Sequence, residues 1–357
     1  MTQLGDRVEH AIEQRTELDE EELEHTPSWP VRRIVRTVFW LTLTGISLYL
    51  VAPSLIEVFG SADEIDSLAP AWLAVMVVLQ AATLACLWAL QRLALRNPPW
   101  PAVILSQLAG NALSKIAPGG GAMGAALQYR MLVQSGVAKN AVATALTAAN
   151  LLVFAVVLAL PVLAIPAFIR GGVSRDLLEV AVIGLAVFFV LSVLGTVLIA
   201  SDGPLAWLGR VIQRARNALR RKSEPLRELP QRLIRERDRI VGVVGPRWKR
   251  ALVQAVGRWA FDYATLLAAL AAVGAHARPS LVLLAFCGAQ VLAQIPITPG
   301  GLGFVEAGLT AMLTLAGVSA GDAVLATFAY RLISYWLPLP VGLAAYGWHA
   351  RRVTRTG

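Results

Sequence analysis

Five ionisable residues, Lys115, Arg258, Asp262, Glu306 and Arg331, stand inside long apolar stretches of this chain. A charge at membrane depth is costly, so each is expected to face a partner or a polar cavity. Lysine and arginine both hold phosphate, and the planar guanidinium does so in a bidentate way that an ammonium lacks. Lys115 lies just before Pro118 and the run Gly119, Gly120 and Gly121. Bare glycine amides at a helix start can form an anion nest, which makes this group a candidate phosphate site. A lysine that lines water without a ligand is the alternative. Arg331 falls roughly 15 Å along its apolar segment, at 1.5 Å per residue, where it could grip the same phosphate. Its neighbour Tyr330 offers a hydroxyl or simple packing. Glu306 follows the turn Pro299, Gly300, Gly301, and it could take a proton, counter a cationic headgroup or pair with Arg331. Arg258 and Asp262 are spaced i, i+4, which favours a structural pair on one helix face. Arg130 is either a further headgroup contact or a side chain that snorkels to the surface.

The remaining chemistry is sparse. Cys86 and Cys287 sit in apolar runs, and His10, His25, His276 and His349 are scattered without ligand spacing. No metal, cofactor or disulfide framework is expected, and no nucleophile and base constellation suggests an enzyme.

The elements that must position these residues are membrane helices. The composition is 56% hydrophobic and 15% charged, with the apolar residues in blocks. Crossing a hydrocarbon core takes about 20 such residues. Spans are expected at 34–56, 70–91, 140–168, 177–200, 250–274 and 321–346. Residues 1–30 read as an acidic, disordered tail. The net charge of +9 is concentrated in one loop, since residues 203–250 hold 14 Lys or Arg against four Asp or Glu. That distribution argues against nucleic acid and for a cytoplasmic loop, because positive charge is retained inside. Arg32, Arg33 and Arg36 before the first span, and the basic tail 351–357 after the last, put both termini in the cytoplasm of an inner-membrane protein. Within 203–249, Leu205, Leu208, Ile212, Ala215 and Leu219 recur at helical spacing, as in an amphipathic helix on the anionic inner leaflet. A solvated topology anchor is the alternative.

Two segments, 101–137 and 280–318, are each broken by Pro-Gly-Gly. The stretch before the first break is too short to cross, which predicts a re-entrant hairpin, and unpaired backbone at that depth requires protein or a watery cavity around it. Aligned without a gap at an offset of 181, the segments share Ala126 with Ala307, Met131 and Leu132 with Met312 and Leu313, and Gly136 and Val137 with Gly317 and Val318. With three crossings between them, the hairpins enter from opposite faces. The expected fold is therefore all-α and integral to the membrane: about six transmembrane helices plus two re-entrant hairpins in an inverted-topology repeat, with halves 31–170 and 171–350. Paired interruptions of this kind point to a transporter's binding site.

The stretches "PITPGGLGFVEAGLTAML" and "TFAYRLISYWLPLPVGLAAY" resemble the C-terminal signature of the lysylphosphatidylglycerol synthetase transmembrane region, the flippase-like family. "NALSKIAPGGGAMGAALQYRML" is similar to its N-terminal counterpart. The resemblance covers residues from about 34 to 350 and implies lipid handling without naming the lipid. Together with the midplane cations, which suit an anionic headgroup, it leads one to expect the flipping of a phospholipid or a polyprenyl-phosphate-linked lipid between leaflets. A membrane scaffold or an intramembrane enzyme acting on a lipid phosphate are the other classes. Val305 stands where members of the family often carry arginine, which removes one phosphate contact. No soluble aminoacyl-transferase domain follows Gly357, so lysyl-lipid synthesis is not expected.

Overall fold

The computed structural model describes residues 70–117, 120–164, scattered positions in 182–200, and residues 201–219, 227–293 and 299–356. All belong to one unit, Ser47–Gly357. Every element among the described residues is helical, in the order α1 (Pro70–Ala94), α2 (Trp100–Ile116), α3 (Gly121–Gln134), α4 (Lys139–Ala159), α5 (Asp202–Leu219), α6 (Leu229–Val244), α7 (Trp248–Ala272), α8 (Pro279–Leu292), α9 (Phe304–Leu315), α10 (Ala320–Arg331) and α11 (Pro338–Thr356). A π-helical turn, Leu332–Trp336, joins α10 to α11.

Among the described residues, three segments are long and apolar enough to cross a membrane: Ala71–Ala94, Lys139–Val162 and Ala320–Arg352. They coincide with three of the expected spans. The expected span 250–274 is helix α7, as long as α1 at 25 residues, but Lys249, Arg250, Arg258 and Asp262 lower its hydropathy. The expected tail 1–30 and span 34–56 lie outside the described residues, as does most of 177–200.

The helices around the two breaks are short. At 1.5 Å per residue, the 17 residues of α2 rise about 25 Å and the 12 of α9 about 18 Å, both less than a hydrocarbon core of about 30 Å. Pro118 ends α2 because the residue before a proline is pushed out of the helical region, and Ala117 is extended at φ −76°, ψ 142°. Each hairpin then closes on small residues. A Cβ on Gly124 would lie 2.3 Å from the Gly110 carbonyl, so α2 and α3 touch backbone to backbone. Helices α8 and α9 also pair, but there glycines receive side chains: a Cβ on Gly288 would lie 2.4 Å from the Met312 sulfur and one on Gly308 2.5 Å from a Leu292 methyl.

The second arms of the hairpins stop alike. After α3, Gly136 N–H donates to Val133 O and Val137 N–H to Leu132 O; after α9, Gly317 N–H donates to Thr314 O and Val318 N–H to Leu313 O. Both glycines have positive φ, 87° and 93°, as this C-terminal motif requires. The next helices begin at Lys139 and Ala320, again 181 residues apart.

Polarity is inverted relative to a water-soluble bundle. Gln80, Gln107, Gln128, Asp262, Thr327 and Arg331 are buried, whereas Val78, Leu151, Val253 and Leu343 are more than half exposed. Helices α1 and α7 pack together most extensively, and the core around them centres on Trp259, Phe286, Leu266 and Leu309. The amphipathic spacing expected from Leu205 to Leu219 is helix α5, and the basic segment also holds a second helix, α6. They cross at Gly209, where a Cβ would meet Pro230 at 2.8 Å. Arg237 bridges Asp202 and Asp238, at 2.6 Å to each. Trp207 remains 61% exposed on α5, as a helix seated on a lipid surface needs.

Candidate functional site

Helix α2 carries Gln107, Asn111 and Lys115 at i, i+4 and i+8, so one polar stripe runs down it to the Pro-Gly-Gly break. At the end of that stripe the Lys115 ammonium donates to the carbonyls of Ser334 and Tyr335, each at 2.9 Å. The Ser334 carbonyl is free for this because its helical partner would be the N–H of residue 338, and Pro338 has none. The π turn absorbs the resulting mismatch, with Leu337 N–H reaching back to Leu332 O at 2.9 Å. Such turns are frequent at functional sites. The contact is returned by the Tyr335 hydroxyl, which donates to Lys115 O at 3.0 Å.

The second break meets the last turn of α2 here. Gly300, at φ +63°, is so close to Tyr335 that a Cβ would lie 2.3 Å from the hydroxyl and 2.9 Å from Lys115 O. Arg331 extends from the last turn of α10 to this point. Its Nε donates to Glu306 at 2.6 Å and an Nη to Gly300 O at 3.4 Å. The Tyr335 ring lies between the two cations, its centroid 4.8 Å from Lys115 Nζ and 4.4 Å from Arg331 Cζ. Cation–π attraction of this kind strengthens with desolvation.

The pair expected between Arg258 and Asp262 is not formed as an ion pair within 4.0 Å. The guanidinium instead lies over the ring of its neighbour Trp259, 3.7 Å from the centroid, and its Nη1 is buried without a hydrogen-bond partner among the described residues. Asp262 accepts from the Tyr330 hydroxyl at 3.0 Å, and that hydroxyl also accepts from Gln290 at 3.1 Å. Trp259 itself is fixed by its indole N–H on Val153 O, which holds the arginine's platform in place.

These groups surround a cavity of about 160 Å³. At about 30 Å³ per water it has room for about five waters or a phosphate-sized group. Lys115, Arg258 and Arg331 line it against one lining carboxylate, Asp262, with Gln80, Gln107, Asn111 and Gln290 as neutral donors and acceptors. Even with Glu306 added beside Arg331, three positive charges face two negative ones. One Glu306 oxygen also lacks a hydrogen-bond partner among the described residues.

Of the residues expected at the site, Lys115, Tyr330 and Arg331 line the cavity, and Gly300 and Glu306 bond to it through Arg331. Gly301 is buried beside Val305. Gly120 and Gly121 do not line the cavity, because α3 turns away after the break, and Gly119 lies outside the described residues. Arg130 is exposed on α3 and does not line the cavity. Val305, standing where the resemblance led one to expect arginine, is 4% exposed and forms part of the wall. Ser334, Tyr335 and the amide residues were not anticipated. The four-residue spacing of Gln107, Asn111 and Lys115, and the proline four residues after Ser334, are the signals that could have found them.

Comparison with known proteins gives a match between residues 32–342 and the family described as Lysylphosphatidylglycerol synthase TM region. Two matches carry the name UPF0104 membrane protein, both from Methanothermobacter thermautotrophicus. One is 28% identical over 117 residues, covering 33% of this chain and 32% of the relative; the other is 40% identical over 68 residues, covering 18% and 20%. The matches thus span a third or less of those relatives' length. No solved structure matches.

Proposed function

The chain belongs to the lysylphosphatidylglycerol synthase TM region family, and from that premise we propose that it is a lipid transporter of the flippase type. It carries the phosphate of a phospholipid or polyprenyl-linked lipid past Lys115, Arg258 and Arg331, and it is not an enzyme. The observation that carries this reading is the excess of buried positive charge around a polar cavity in a helix bundle whose outside is apolar. A charge inside a membrane costs at least about 2.5 kcal/mol on insertion scales, and an anionic headgroup is the partner that offsets it.

In this proposal six spans cross the inner membrane with both termini in the cytoplasm, and the hairpins 101–137 and 280–318 enter from opposite faces. The halves 31–170 and 171–350 form an inverted repeat whose two turns meet at the cavity. The matching stops after α3 and α9 support this arrangement. The segment 203–249 rests on the anionic inner leaflet. A second reading, a membrane scaffold, is favoured by one observation: Lys115 and Arg331 already hold protein partners. Under it the cations only tie helices together.

Reconstitution into vesicles with a fluorescent anionic phospholipid, read by quenching of the outer leaflet, separates the two. Transport predicts that the double variant Lys115→Gln, Arg331→Gln folds but loses translocation. Full translocation by that folded variant would refute the phosphate site.

A further inference from the structure

A second basic cavity, separate from the one above, opens where the end of α1 meets the start of α7. Its volume is about 340 Å³, and Arg92, Lys249 and Arg250 line it together with Trp100, Leu93 and Val253; among the described residues no carboxylate lines it. Arg92 is held in position, its Nε on Pro98 O at 3.1 Å and its guanidinium 4.6 Å from the Trp100 ring centroid. Lys249 and Arg250 lie in the first turn of α7 and are exposed. That turn has no side-chain cap, so its amides add to the positive field.

The other wall is apolar and open. Trp100 is 43% exposed and Val253 66%, and Val256 continues the same exposed strip one turn further along α7. A tryptophan beside basic residues at the end of an apolar helix is the arrangement of a membrane interface. The internal repeat does not dictate this cluster: at the 181 offset, Arg92 corresponds to Val273, Arg96 to Ala277 and Trp100 to Leu281.

We propose that this cavity is a binding site for one anionic glycerophospholipid. Its phosphodiester sits between Arg92, Lys249 and Arg250, and an acyl chain lies along Val253 and Val256. Basic pockets between membrane helices recognise lipid headgroups in this way.

Native mass spectrometry of the full chain in detergent, titrated with phosphatidylglycerol, phosphatidylcholine or inorganic phosphate, tests it by counting retained lipids. The expected result is a phosphatidylglycerol held about tenfold or more tighter than phosphatidylcholine. Lys249→Gln, Arg250→Gln should lose that one lipid, whereas the charge-matched Arg214→Gln, Arg232→Gln variant and the Lys115→Gln, Arg331→Gln variant should keep it. Both Lys249 and Arg250 are exposed, so their loss leaves the packing intact. The proposal is overturned if the Lys249, Arg250 variant keeps the lipid, if the charge-matched variant loses it equally, or if inorganic phosphate displaces it.

Discussion

At the scale of single residues, the two arginines of the central cavity should behave in opposite ways. Arg331 and Glu306 are an almost buried pair at 2.6 Å, with side chains 10% and 12% exposed. Removing one partner strands the other, so Glu306→Gln should destabilise by about 3 kcal/mol, visible as a lower thermal midpoint in detergent. Arg258 carries an unpartnered Nη1 and no ion pair, so Arg258→Gln should change stability by no more than about 1 kcal/mol, near the ordinary cost of a point substitution. Vesicle assays should nevertheless show it reducing translocation; unchanged translocation would remove Arg258 from the site. The cost of an intramembrane charge made Lys115, Glu306 and Arg331 legible from sequence, and the structure brings those three together. The Arg258 and Asp262 spacing misled, because an aromatic neighbour and a distant tyrosine compete for the same two groups and neither is visible in an i, i+4 count. Of the expected glycine nest, Gly120 and Gly121 do not line the cavity and Gly119 lies outside the described residues.

Among elements, the segment from Ala320 to Thr356 shows how one residue shapes a helix. Pro338→Ala supplies an N–H four residues beyond Ser334, which then competes with Lys115 for that carbonyl. The expected result is a more regular helix, unchanged or higher stability, and translocation about tenfold slower, since a charge-assisted hydrogen bond is worth about 1.5–3 kcal/mol. Hydrogen exchange across 332–337 would show the regularised turn. The first hairpin offers a steric contrast. Gly124→Ala drives a Cβ into the Gly110 carbonyl and should cost about 1–3 kcal/mol, whereas Gly121→Ala meets open space and should be near neutral by the same melting measurement. Both breaks, and the stops at Gly136 and Gly317, could be read from the sequence because glycine and proline mark backbone demands directly. The π turn could not, since it arises from a missing N–H and a lysine more than two hundred residues away. Helix α6 was missed because its polar face hid a second amphipathic pattern behind the first.

For the whole molecule, the expected arrangement is a pair of inverted halves. In a background lacking Cys86 and Cys287, cysteines at positions 61 and 276 should react with an impermeant reagent in sealed cells, and one at position 220 should not. Labelling at 220 would overturn the orientation. Hydropathy made three long spans plain and left α7 ambiguous, because two of the charges that lower its hydropathy, Arg258 and Asp262, are there to line the central cavity. The meeting of α2 and the second turn at one aromatic side chain has a practical consequence. Tyr335 touches Lys115 and Gly300 and stands 5.4 Å from the Trp336 ring. Any separation of α2 from that turn must change the surroundings of the ring pair. With the other nine tryptophans replaced by phenylalanine, the emission of Trp336 becomes a built-in gauge of opening, read in real time without an attached dye.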